Sequence, residues 1–211
     1  MHRRAFLAAT GMTLLTGCSS QVDQLANTLG GGTHSLGDTV NYGEVEVTVT
    51  DAMTSETATM DGNEITSPSN GIFALFKIKA HNTDVTEQDA PGVNSRNYET
   101  LEEEDGVVYT VGINDIRVYG SGEGGHYPDV GPRYDYSYQL GVNGAKLETY
   151  PVGSMRPSID ADSKVTGWVI GVIKSEQTPQ LKIQYAGTSA IWEVGDVDLS
   201  TPTPDPETIP L

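Results

Sequence analysis

The stretch Gly71-Ile72-Phe73-Ala74-Leu75-Phe76-Lys77-Ile78-Lys79-Ala80-His81-Asn82-Thr83 decides the fold class. Side chains alternate between the two faces of a strand. Ile72, Ala74, Phe76 and Ile78 therefore line one side, and Phe73, Leu75, Lys77 and Lys79 the other. Upstream, Tyr42 to Thr50 alternates in the same way, with Glu44 and Glu46 facing one side and the β-branched Val45, Val47 and Val49 the other. Downstream, Asp105-Gly106 opens the run Val107 to Val111, and Val165 to Lys174 is glycine-spaced and apolar, as suits a buried strand. Leu181, Ile183 and Tyr185 alternate with Lys182 and Gln184, and Ala190 to Val194, carrying Trp192, makes a last short strand. Helix is arguable only over Asn114 to Tyr119 and ahead of the domain. Short strands separated by Gly, Asn, Asp and Pro turns predict an all-β domain built as a β-sandwich. Trp168 and Trp192, both on apolar strands, are expected in its core.

The flanks of the strand region read differently. Arg3 and Arg4 precede a short, mildly apolar run from Ala5 to Gly17. That run is too short for the roughly 20 apolar residues of a membrane span, so it reads as a signal peptide over residues 1–17. Arg3-Arg4-Ala5-Phe6-Leu7 resembles the twin-arginine export signal, and Leu15-Thr16-Gly17-Cys18 resembles the lipobox of lipoproteins. Cys18 is the single cysteine, which excludes an internal disulfide and leaves lipidation as its role. Residues 18–35, with Gly30-Gly31-Gly32, read as a lipidated cysteine and flexible tether. Residues 200–211 hold four prolines in twelve positions and read as a disordered tail. The domain is thus expected over 36–199, extracytoplasmic and anchored to the membrane by lipid.

Charge narrows the partners. The chain carries 29 acids against 12 basic residues, a net charge of −17, and removal of Arg3 and Arg4 with the signal peptide takes it to −19. The acids are scattered, apart from Glu102 to Asp105. Such a surface resembles the salt adaptation of halophilic archaea, in which high salt screens the repulsion and carboxylates keep the surface hydrated; a cation-binding surface is the rival explanation. A nucleic-acid partner is excluded, because a phosphate backbone needs a basic face.

Four pieces in this order resemble a known family: Leu36-Gly37-Asp38 with its following strand, Gly71 to Thr83, Asp105 to Tyr109, and Ser158 to Lys174 with Leu181 to Tyr185. They resemble the immunoglobulin-like domains of unknown function found on bacterial and archaeal lipoproteins, and are similar to a secreted immunogenic mycobacterial antigen with the same sandwich. The resemblance covers about residues 36–195. It implies an immunoglobulin-like antiparallel β-sandwich with an accessory or binding role, and brings no catalytic residues. Gly112 to Tyr150 departs from the family pattern.

No catalytic motif stands out. Gly120-Ser121-Gly122 has the wrong spacing for a nucleophile elbow, and no His-Glu-x-x-His is present. His34, His81 and His126 share no ligand spacing. A copper site from His81, His126 and a methionine (Met53, Met60 or Met155) competes with the plainer reading of surface histidines and gap-filling methionines. Asp61-Gly62-Asn63-Glu64 and Glu102 to Asp105 are oxygen-rich turns of the kind calcium uses, though neither follows the twelve-residue loop pattern. No cofactor is expected.

The candidate binding surface is Gly120 to Leu140, GSGEGGHYPDVGPRYDYSYQL, where Tyr134, Tyr136 and Tyr138 would line one face of a strand and Tyr127 sits close by. Tyrosine offers both area and a hydroxyl to a partner; the alternative is a strand packing its tyrosines on the core. The expectation is a non-enzymatic binding or accessory module with a protein or glycan partner at the cell surface. A ligand- or metal-binding lipoprotein serving a transporter or redox system is the alternative.

Overall fold

The alternation of apolar residues is realised as strands throughout a computed structural model that describes residues 32–93, 115–121, 139–151 and 156–194. In chain order the strands are β1 (Thr33–His34), β2 (Thr39–Tyr42), β3 (Val45–Ser55), β4 (Thr57–Met60), β5 (Asn63–Thr66), β6 (Gly71–Asn82) and β7 (Gln88–Asp89). They continue as β8 (Ile116–Gly120), β9 (Leu140–Val142), β10 (Ala145–Leu147), β11 (Ser158–Ile159), β12 (Lys164–Lys174), β13 (Pro179–Tyr185) and β14 (Thr188–Glu193). No helix occurs among the described residues.

Two four-stranded sheets, β12-β6-β3-β2 and β1-β14-β13-β8, form the sandwich. In the first, Val40, Val47 and Ala80 fall in one row and Val49 and Ile78 in the next. All are fully buried. In the second, Ile116, Val118, Leu181, Ile183, Ala190 and Trp192 supply the facing layer. The Tyr42 hydroxyl donates to the Ile183 carbonyl at 3.1 Å, a tie from one sheet to the other, and Trp192 Nε1 donates to the Asp38 carbonyl at 3.1 Å, tying β14 to the turn that leads into β2. A third sheet, β10-β9-β4-β5, and a two-stranded pair, β11-β7, complete the fold.

Turn chemistry sets the hairpins. Asp61-Gly62 and Asn143-Gly144 adopt positive φ at both central positions, the geometry of the primed turns that match strand twist. Asp61-Gly62-Asn63-Glu64, read above as an oxygen-rich turn, is thus the tip and start of the β4–β5 hairpin. β3 carries a bulge between Val49 and Asp51. Buried positions therefore shift phase, from Val45, Val47 and Val49 to Ala52.

Several expectations are met and several corrected. The strands at 42–50, 72–81, 165–174, 181–185 and 190–194 all exist, although β14 ends at Glu193 with Val194 beyond it, and Tyr42 belongs to β2, with the hairpin turn at Gly43-Glu44 separating it from Val45. Phe73, Ala74, Leu75 and Phe76 are all buried. The first half of β6 is therefore covered on both faces and not on one. The weak helix at Asn114 to Tyr119 is instead strand β8: Ile116 and Val118 are fully buried while Arg117 between them is exposed, a period of two. Among the described residues the antiparallel expectation holds for every ladder except β1–β14, which is parallel, as is the isolated bridge Thr149–Trp168. β1 and β14 lie at opposite ends of the strand order, with no tight turn to dictate direction. β1 falls inside the stretch read as tether. The strand expected at Val107 to Val111 lies outside the described residues.

Candidate functional site

The predicted surface Tyr127, Tyr134, Tyr136 and Tyr138 lies outside the described residues, as do Arg3, Arg4, Cys18, His126, Met155 and Glu102 to Asp105. Both stems of the tyrosine-bearing stretch are placed. Ser121 donates its N–H to the Thr178 carbonyl at 2.9 Å and its Oγ accepts from Thr178 N at 3.2 Å. Gln139 N donates to Asp61 Oδ1 at 3.0 Å, and Asp61 N returns a bond to the Gln139 carbonyl at 3.0 Å. One stem is thus fixed beside the β12–β13 turn and the other at the tip of the β4–β5 hairpin. An open cavity of about 660 Å³ sits between the β5–β6 and β12–β13 turns, lined by Pro68, Asn70, Val172, Lys174 and Glu176 among others.

The described polar chemistry gathers elsewhere, where the β7–β11 pair closes over the sandwich. Arg156 holds Asp115 bidentately, Nε to Oδ2 at 2.8 Å and Nη2 to Oδ1 at 3.0 Å. Asp115 Oδ2 also accepts the Gly92 N–H at 2.9 Å. The guanidinium lies 5.1 Å from the centre of the Tyr185 ring, a cation–π arrangement. Tyr185 donates its hydroxyl to the Asp89 carbonyl at 2.6 Å, Tyr150 to the Pro91 carbonyl at 3.0 Å, and the Tyr42 ring stands 6.1 Å from that of Tyr185. Burial pushes the Tyr42 and Tyr150 hydroxyls above their ordinary range, and at Tyr150 the Asp115 and Tyr185 charges add to it. Tyr185 is raised by burial and by Asp89, with Arg156 opposing. Every polar group named here has a partner within the chain. The cluster clasps segment 89–92 to the sheet ends.

Asn82 works in the same way. It is fully buried, and its Nδ2 donates to the carbonyls of Thr86 (2.8 Å), Ile159 (3.0 Å) and Asp160 (3.1 Å), while Oδ1 accepts from Asp84 N (2.9 Å). Asp84 in turn accepts from Thr86 Oγ1, Val85 N and Gln88 Nε2, and these bonds draw its carboxyl below the usual range, against the smaller effect of burial.

The histidines separate. His81 lies on β6 between Glu46 (3.8 Å) and Asp162 (3.5 Å), half-exposed. His34 is 2% exposed, which corrects the surface-histidine reading for that residue: pairing of β1 with β14 turns its ring inward against Trp192. Met53 is buried and Met60 partly so. Trp168 and Trp192 are 5% and 0% exposed, as core residues. Among the described residues no three His, Cys, Asp or Glu side chains are grouped to hold a metal ion.

Sequence reasoning missed Tyr42, Tyr150, Asp115 and Arg156 as a group, since contacts across about 40 to 140 residues of chain leave no local pattern. For Asn82 a signal existed: a long apolar strand closing on Asn-Thr before an acidic turn.

No protein-family model matches the sequence, and no curated protein matches it. Among solved structures, the chain is similar to an uncharacterised β-sandwich protein from Clostridium difficile 630, at 10% identity over 79% of this chain and 95% of that one, with a TM-score of 0.38. It is also similar to a candidate lipoprotein from Bacillus subtilis, at 10% identity over 74% of this chain and 36% of that one, with a TM-score of 0.37. At such scores neither likeness carries an argument, and the β-sandwich stands on this chain's own sheets and the bonds between them.

Proposed function

We propose that this chain is an extracytoplasmic lipoprotein whose immunoglobulin-like β-sandwich acts as a non-enzymatic binding or accessory module at the surface of a salt-adapted cell. One observation carries the reading: Arg3-Arg4-Ala5-Phe6-Leu7 and Leu15-Thr16-Gly17-Cys18 stand in the order of a twin-arginine lipoprotein signal, and fourteen polar or small-residue-rich positions separate Cys18 from Thr33. The chain is exported, cut before Cys18, lipidated there, and its domain is held off the membrane by that linker. The net charge of −19 keeps the domain soluble at high salt. Tyr127, Tyr134, Tyr136 and Tyr138 form the partner-facing row, for a protein or glycan ligand.

Mass spectrometry of the protein from native membranes tests the anchor: a lipid-modified N-terminal Cys18 is expected, and Cys18→Ala should release the domain. An unmodified cysteine in a full-length chain would refute it. Crosslinking at the cell's own salt tests the accessory role. One partner recovered in near-equal amount, and lost on replacing Tyr134, Tyr136 and Tyr138 with serine, supports the role, whereas no enriched partner would overturn it.

A further inference from the structure

His34 is the one described residue with buried side-chain polar atoms that lack any hydrogen-bond partner: neither Nδ1 nor Nε2 makes a bond, and the residue is 2% exposed. Buried polar groups are nearly always satisfied, and each exception asks for a reason. The ring packs on Trp192 with centroids 5.3 Å apart and planes tilted by 36°. Trp192 is itself fully buried and fixed by its bond to the Asp38 carbonyl. β1, which carries His34, is only two residues long. It is docked through the ladder Thr33–Ile191 and His34–Trp192 and through Ile191 N donating to the Gly32 carbonyl at 3.1 Å. A short edge strand with so few bonds sits at the low end of local stability.

Among the described residues, the charges around the ring are few. Asp38, in the turn that follows β1, is the group whose field reaches it, and the Asp38 Oδ2 already accepts Ser35 N at 2.8 Å. On β14, Glu193 follows Trp192 and so points to the opposite face, where it accepts from Gln180 Nε2 at 2.6 Å. On β13, Lys182 pairs with Ile191 and shares that outer face. A proton on His34 would therefore create a buried imidazolium with no acceptor bonded to it, and removing a charge from water without a partner is strongly unfavourable.

We infer that His34 is a proton-operated latch: the neutral ring docks β1 on β14 against Trp192, and protonation releases β1 from the sandwich edge. Burial holds the imidazole below its ordinary value of 6.5, and Asp38 only partly opposes this. The sign follows from linkage. The released strand binds the proton more readily than the docked one, so docking is complete above 6.5 and is lost as pH falls through the lower docked-state value. If the lipoprotein reading holds, the latch also sets where the membrane linker leaves the domain, at Gly32 when docked and at the turn 35–38 when released. That consequence rests on the proposed function; the latch itself does not.

Hydrogen exchange on the full chain in detergent tests it, with the Ile191 amide as reporter because its bond goes to Gly32. After correction for intrinsic rates, Ile191 protection should fall several-fold between pH 7.5 and pH 5, while amides of β6 keep theirs. In His34→Phe, which keeps an aromatic ring and cannot titrate, Ile191 protection should not respond to pH. Equal Ile191 protection at both pH values, or the same loss in His34→Phe, would overturn the latch. A second measurement needs no variant: the His34 ring resonances should titrate below the ordinary histidine value, and a midpoint at or above 6.5 would also overturn it. The mass of the Cys18 N-terminus is read separately, so failure of the anchor and failure of the latch are distinguishable.

Discussion

The Tyr42 hydroxyl reaches across the sandwich to the Ile183 carbonyl, 3.1 Å away and 141 positions later in the chain. Tyr42 is 1% exposed, so its bond is shielded from water on both sides. Tyr42→Phe removes the donor and leaves a buried carbonyl one partner short. A loss of about 1–2 kcal/mol is expected, read as a lower urea midpoint with an unchanged slope. Alkaline pH acts on the same group. Burial raises the Tyr42 and Tyr150 hydroxyls above their ordinary value of 10.0, so the unfolded chain ionises first. Stability should be complete below pH 10 and decline as pH rises beyond it, with a shallower decline in Tyr42→Phe. A flat stability profile from pH 8 to pH 11 would contradict this.

Asn82→Asp keeps the shape and reverses the chemistry. The carboxylate cannot donate to the three carbonyls that Nδ2 now serves. The expected cost is about 2–4 kcal/mol at neutral pH, from orphaned acceptors facing a buried charge. Part of this should return at low pH, where the acid regains one donor. Equilibrium denaturation at pH 7 and pH 4 checks both halves, and wild-type stability at pH 7 would show that the side chain does not organise the 82–88 loop.

The Arg156–Asp115 pair is half-exposed on the arginine side and 10% exposed on the aspartate side. Solvent screening on the arginine limits its worth. Arg156→Ala, which leaves Asp115 with little beyond the Gly92 N–H, should cost about 2 kcal/mol. Arg156→Lys should recover only part, because an ammonium can neither fork onto both oxygens nor stack on Tyr185 in the same way. If lysine restored full stability by thermal melting, charge alone would account for the pair.

Gly167 faces the backbone of Thr149 and Tyr150. An added Cβ there would meet Tyr150 N, Tyr150 Cα and the Thr149 carbonyl carbon closer than real Cβ atoms come. That backbone is held by Trp168 N donating to the Glu148 carbonyl at 2.8 Å and Tyr150 N to the Trp168 carbonyl at 3.0 Å, so it cannot swing aside as a flexible side chain would. Gly167→Ala should destabilise by about 2–3 kcal/mol and shift Trp168 emission to the red. An unperturbed spectrum and melting temperature would mean that segment 148–150 is not seated on β12.

Gly167 also marks the boundary of what a linear reading reaches. Val165 to Lys174 was legible as a buried strand from its composition alone, but the reason for its first glycine was not, since the backbone it faces, Thr149-Tyr150, lies 17 to 18 positions upstream and Thr149 bridges Trp168 in parallel. β8 was misread for a related reason. Five residues, Ile116–Gly120, give too short a window to separate a period of two from one of 3.6, and the choice was made by pairing with β13. The polar clasp of Tyr42, Tyr150, Tyr185, Asp115 and Arg156 is assembled from five separate segments and has no sequence spacing at all.

The sequence by itself determined the strand-rich class, the alternation at Val45, Val47 and Val49, the core placement of Trp168 and Trp192, and a turn at Asp61-Gly62. These depend on local geometry: a period of two, and glycine's freedom at positive φ. Only the tertiary structure decided that the first half of β6 is buried on both faces, that β1 returns to lie parallel to β14, and that His34 is enclosed with neither ring nitrogen bonded. Each of those depends on which distant segment comes to rest against which, and the free energy of that choice belongs to the packed whole.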